Sequence, residues 1–109
     1  MSSGLEKQII ARALELIAEQ EHWTREVLAR TASEQPCSWS DPRAAKFCAV
    51  GALNRAAMEA VKGWGCSRAM EAQEFVMAAG NKPGDELLQI NDDEGHIAIV
   101  TMFRAALNR

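Results

Sequence analysis

The sequence predicts an all-α fold, a compact bundle of four main helices with one or two short ones, and three observations predict it. Apolar residues recur at three- and four-residue spacing nearly throughout. Capping residues, prolines and glycines fall between those stretches. No segment sustains the period-two alternation of a half-buried strand. A chain of 109 residues can build one real core and is too short for two, so residues 1–109 are expected to form a single domain.

The first helix is expected from about Leu5 to Glu21. Ser3 with Glu6 fits a capping box, and Ile9, Ile10, Ala13, Leu14, Leu16 and Ile17 make a broad apolar face opposite Gln8, Arg12, Glu15 and Glu19. In "HWTREVLART", Thr24 is a natural N-cap and Trp23 and Leu28 sit at staple positions, which predicts a short helix ending near Ala32. "SEQPCSWSD" reads as a loop. The central helix is expected over "DPRAAKFCAVGALNRAAMEAVKG", capped by Asp41, with Pro42 at its first position and Gly63 at its end. Ser67 caps a fourth helix that runs through Ala79 to Gly80. "GNKPGD" is a loop, and Leu87, Leu88 and Ile90 form a short apolar piece. Asn91 with Glu94 makes another capping box, opening a final helix that ends near Leu107.

Composition narrows the function. The chain is 48% hydrophobic and 25% charged, in the range of soluble globular proteins. The net charge is −3 with no basic tract, which argues against direct nucleic-acid binding. No stretch reaches the ~18 continuous apolar residues of a membrane span. Cys37, Cys48 and Cys66 form no CxxC pair, and an odd cysteine count with no signal peptide points to free thiols in a reducing cytoplasm. The acidity is local. Asp85, Glu86, Asp92, Asp93 and Glu94 crowd residues 85–94 without a base, so the rest of the chain carries a net positive charge. Such a segment serves as solvated helix ends, or as a negative patch for a basic partner.

The central stretch "KFCAVGALN" sets a cysteine and a glycine within the expected helix. Wound at about 100° per residue, Phe47, Val50, Leu53, Ala57, Met58 and Val61 share one face. Ala45, Ala49, Ala52, Ala56 and Ala60 form a smooth ridge for a neighbouring helix. Cys48 falls on the wet stripe with Arg55, Glu59 and Lys62, although Lys46 maps to the apolar side. A thiol near a helix N-terminus beside cations loses its proton more easily. His96 shares a face with Ile99, Val100, Phe103 and Leu107, and Asp92 stands four residues before it. Cys48, His96 and Asp92 are thus the ingredients of nucleophilic catalysis, without the glycine-rich elbow that often accompanies them. The bland alternative is a packing cysteine and a hydrogen-bonded core histidine.

Other motifs are thinner. Asp92 and His96 have helical metal-ligand spacing, which His22, Asp93 or a cysteine could complete, but HExxH and paired CxxC are absent and no metal is expected. A helix-turn-helix around "KGWGCS" would present Arg68 and Gln73 with Glu71 and Glu74 facing phosphates, which disfavours DNA. No cofactor motif is present: GxGxxG, the P-loop lysine and GxSxG are all missing. Trp39 and Trp64 flank the central helix, either closing the ends of the core or anchoring a partner.

"HWTREVLAR", "DPRAAKFCAVGALNRA" and "INDDEGHIAIVTMFRAAL" together resemble a family of short uncharacterised bacterial and phage proteins. The shared pattern is an aromatic-containing start (Trp23), a Trp/Phe-Cys-x-x-Gly-Ala core (Phe47 to Ala52) and a late Asn-Asp (Asn91-Asp92). The resemblance implies a domain of unknown function and carries over no catalytic residue. It also implies an association with phages and mobile elements, where small acidic proteins often bind and block a host protein.

These readings converge on a non-enzymatic cytoplasmic protein that docks on a protein partner, or on a second copy of itself. The contact would use Asp85, Glu86, Asp92, Asp93, Glu94, Trp39 and Trp64. A cysteine-dependent hydrolase or transferase using Cys48, His96 and Asp92 is the alternative. A small-ligand or redox-sensing module built on the cysteines is the third.

Overall fold

Among the described residues, five helices carry the apolar spacing of the sequence into a shared core, and a small sheet stands where that spacing predicts helix. The structure, a computed structural model, describes residues 2–61, 66–80 and 86–108. In chain order these are α1 (Ser2–Ile17), a single 3-10 turn (Gln20–His22), β1 (Ala29–Thr31), β2 (Pro36–Cys37), β3 (Ala44–Phe47), α2 (Ala49–Ala60), α3 (Cys66–Ala79), α4 (Leu87–Glu94) and α5 (His96–Leu107). The fold is therefore mainly helical rather than purely so.

The core follows the helical faces. Ile9, Ile10, Ala13 and Ile17 of α1 are fully buried, as are Leu53 of α2, Val76 of α3, and Ile99 and Phe103 of α5. Of the expected ridge, Ala49, Ala52 and Ala56 are buried and Ala57 joins them in the core cluster, whereas Ala45 lies in β3 and Ala60 is exposed. Side chains this small let helices approach closely, and α1 packs on α2, α3 and α5. On the outer edge of the α1–α2 contact, Arg12 Nε donates to Glu59 Oε1 at 2.8 Å. That bond, first among its causes, holds the Glu59 carboxyl below its ordinary range.

Residues 24–48 correct the helical reading. In place of the expected short helix after Thr24 and the early turns of the central one, the chain forms a three-stranded antiparallel sheet of order β2-β1-β3. Ala29 pairs with Cys37 on one side and Phe47 on the other, and a bulge between Arg30 and Thr31 shifts the register to Ala44. Thr24 caps no helix. Its amide donates to Phe47 O at 3.0 Å, and its hydroxyl accepts from Arg30 Nε at 2.9 Å. Asp41 does cap, but it caps a turn: its Oδ1 accepts from Arg43 N at 2.8 Å, and the chain then runs extended into β3. Arg55, expected on the wet stripe, donates to Trp39 O and Asp41 O at 3.0 and 2.9 Å and ties this loop to α2.

The helix ends shift as well. α1 starts at Ser2, so Ser3 lies inside it, and it stops at Ile17 rather than Glu21. α3 begins at Cys66, one residue before the expected cap. Asn91 opens no helix. It lies inside α4, and the break before α5 falls at Gly95, whose φ of 92° and ψ of −177° only glycine adopts readily. Among the described residues, no helix is long and apolar enough to cross a membrane.

Candidate functional site

The end of α1, the starts of α2 and α5, the second half of α4 and the segment before β1 meet at one place. Cys48 is the N-cap of α2, in extended conformation, and its Sγ accepts from Gly51 N at 3.3 Å. Its own amide donates to Leu28 O at 3.2 Å. The stretch "KFCAVGALN" is therefore a strand end, a cap and a first helical turn. The cysteine is fully buried, which corrects its expected place on the wet stripe: the helix whose phase put it there starts one residue later.

Asn91 holds this junction together. It is fully buried, and its Oδ1 accepts from Trp23 Nε1 at 2.7 Å and from Ala49 N at 2.9 Å. Its Nδ2 donates to Thr24 O at 3.2 Å and to Asp92 Oδ1 at 3.1 Å. One amide thus fills all four of its hydrogen-bonding positions and ties α4 to α2 and to residues 23 and 24. Asp92 Oδ1 also accepts from Glu26 N at 3.0 Å, beside a backbone held at φ 74°. Trp23, expected as a staple over a helix turn, instead packs near His96 with ring centroids 5.6 Å apart, and Arg25 lies over its indole at 5.1 Å.

The catalytic candidates sit around this network, each held by a different group. His96 Nε2 lies 2.6 Å from Ile17 O, so that nitrogen carries the proton and donates to the carbonyl. Asp92 is taken up by Glu26 N and Asn91. Among the described residues, no hydrogen bond joins Cys48, His96 and Asp92 to one another. Burial, first among its causes, raises the Cys48 thiol above its ordinary 9.0, and the charge of Asp92 adds to the rise. The amide bonds at the helix start pull the other way and lose. A nucleophilic thiol needs the opposite balance.

That balance has a measurable consequence. Iodoacetamide at neutral pH should leave Cys48 unlabelled in the native chain and label it on unfolding, as peptide mapping would show. The sign for stability follows from linkage. With its folded value raised, the thiol contributes stability that is complete below the unfolded value and lost as pH climbs through the folded one, so unfolding should ease from about pH 9 upward. Rapid native labelling of Cys48 at pH 7 would contradict both expectations.

The partner-binding candidates separate. Asp92 turns inward, whereas Glu86, Asp93 and Glu94 are exposed, and Asp93 accepts from Gln89 Nε2 at 2.6 Å. Trp39 is half-buried against the core. Asp85 and Trp64 lie outside the described residues. Among the described residues, no three His, Cys, Asp or Glu side chains gather where they could hold a metal ion.

One further surface is built from residues far apart in the sequence. A groove of about 370 Å³ opens between α3 and the start of α4, with the first turn of α2 at its base. Val50, Met70, Met77, Leu87 and Leu88 give it an apolar lining, and Glu74 and Glu86 add carboxylates. Met70 is 62% exposed and Leu88 40%. Ile97, 80% exposed on α5, is not among the lining residues, and a lone surface apolar residue is ordinary. The available signal was the i, i+3, i+4, i+7 set of Met70, Gln73, Glu74 and Met77, but nothing local pairs it with Leu88.

No curated protein and no solved structure matches the chain. A family profile does match it, over residues 1–109, and the chain belongs to that family of unknown function, DUF6197.

Proposed function

We propose that this chain is a non-enzymatic, cytoplasmic protein-binding module that docks a partner in the groove between α3 and α4. The observation that carries the reading is the apolar groove itself, with Met70 and Leu88 left open to solvent at its lip. Removing such surface from water is favourable at roughly 25 cal/mol per Å² before the costs of association, and exposed apolar surface of this kind marks sites where other molecules bind. Glu86 and Asp93, on the exposed side of α4, supply the charged margin that the acidic segment suggests. The resemblance to phage and mobile-element proteins gives the reading a biological form: a factor that binds and blocks a host nucleic-acid-binding or defence protein.

A photo-crosslinking side chain placed at Leu88 in the native host should form a discrete adduct with a partner protein. The adduct should vanish when Met70→Asp is added, since Met70 is largely exposed and its replacement leaves the core intact. The same probe at Ala11, exposed on α1, serves as the control. Equal adducts from positions 11 and 88, or an adduct indifferent to Met70→Asp, would overturn the reading.

A further inference from the structure

We infer that the segment this groove accepts is a basic amphipathic helix of a partner protein; the inference rests on the docking reading above and adds the chemistry of the occupant. Shape comes first. The groove lies between helices and offers side chains, not a free strand edge. An extended segment laid there would leave its own amides and carbonyls unpaired against an apolar lining. A helix satisfies its backbone internally and needs only an apolar face. Met70 and Met77 suit that role, because an unbranched thioether adapts to whichever side chain enters.

Charge decides which helix. The ionisable groups among the described lining residues are carboxylates, Glu74 on α3 and Glu86 at the start of α4. Neither enters a salt bridge among the described residues, whereas Glu71, one turn back on α3, is paired with Arg68. Asp93, exposed farther along α4, adds a carboxylate outside the groove. A helix seated on Met70, Met77 and Leu88 therefore meets carboxylates from both flanking helices. Lys or Arg beside its apolar stripe would pair with them, while acidic residues there would be repelled. An anionic membrane surface or nucleic acid would be repelled for the same reason.

The test uses the full chain with isotope-labelled methionine methyl groups and three synthetic helical peptides of about four turns. All three carry the same leucine stripe, and their outer faces are lysine, glutamine or glutamate. The lysine peptide should shift the Met70 and Met77 methyl signals and leave the buried Met102 unchanged. Its dissociation constant should rise about tenfold on Glu74→Gln with Glu86→Gln, and several-fold between low and physiological salt. Tight binding by the glutamate peptide would sink the inference while leaving groove docking in place. So would a lysine peptide that leaves both methyl signals still, or concentration-dependent shifts of the same signals without peptide, which would identify the occupant as a second copy. Failure of the docking reading itself shows separately, as no position-88 adduct beyond that at position 11, or one indifferent to Met70→Asp.

Discussion

Replacing Asn91 with leucine is expected to lower stability by about 3 kcal/mol or more and the melting temperature by more than about 10 °C. The side chains are similar in size, so packing is not the main loss. The leucine has nothing to offer the Trp23 indole N–H, the Ala49 amide or the Thr24 carbonyl, all of which Asn91 now satisfies. A buried polar group left without a partner costs roughly 1–3 kcal/mol, and three lose theirs together. A domain of this size has only about 5–15 kcal/mol to lose. Thermal unfolding followed by helical circular dichroism measures the effect. Asn91→Asp separates the two halves of the amide. It keeps the acceptor for Trp23 and Ala49 but points a second carboxylate oxygen at Thr24 O and Asp92 Oδ1. The new carboxyl then holds its proton more tightly when folded than when unfolded. Its stabilising, protonated form is complete below the unfolded value and is lost as pH rises through the folded one. This variant should therefore recover part of its deficit on acidification relative to Asn91→Leu. An Asn91→Leu protein as stable as the parent would mean that the junction is not held by this amide.

The difference between what sequence reading reached and what it missed follows from how far the deciding contacts lie along the chain. α3 and α5 show in the sequence because a helix records its buried face in its own spacing: Ile99, Val100 and Phe103 are buried as their period requires. The sheet leaves no such record. Its strands are two to four residues long, too short for alternation to develop, and they rest on pairings between residues far apart in the chain, Ala29 with Cys37 and with Phe47. The signal Asp-Pro-Arg fits a helix start and a turn equally well, because in both an aspartate oxygen accepts a nearby amide; the structure uses the turn. Asn91 misleads in a similar way. An Asn three residues before a Glu suggests a cap, but the helix is already under way and the side chain points into the core. That inward turn takes Asp92 with it and separates it from Glu86, Asp93 and Glu94, which are exposed. The groove leaves half a trace in the sequence: Met70 and Met77 stand seven residues apart on α3, but Leu88 across from them follows from neither helix alone.

Gly51→Ala is the second change with a large expected effect, and its sign opposes intuition from helix propensity. Alanine in place of a helical glycine ordinarily stabilises by about 1 kcal/mol. Gly51 lies in the first turn of α2, where a Cβ would come 2.0 Å from Leu28 O and 2.9 Å from Leu28 C. Those atoms are backbone and cannot swing aside as a flexible side chain would. Leu28 O also accepts from Cys48 N at 3.2 Å, and the next residue, Ala29, is paired in β1 with strands on both sides. Making room for one methyl group means lifting this segment away from the helix, breaking the Cys48 bond and disturbing the sheet. The expected cost is about 3 kcal/mol or more, at or beyond the upper end of ordinary overpacking. Gly4→Ala is the matched control: Gly4 is helical, exposed and has nothing within 4 Å of where a Cβ would stand, so there propensity should win and stability should rise slightly. Urea unfolding of the two variants beside the parent gives the comparison. Opposite signs are expected, and a Gly51→Ala protein at least as stable as the parent would show that Leu28 does not press on α2. The same close approach explains why a glycine follows the cysteine by three residues: the thiol accepts the Gly51 amide from one side, and the Leu28 carbonyl occupies the space a side chain would need on the other.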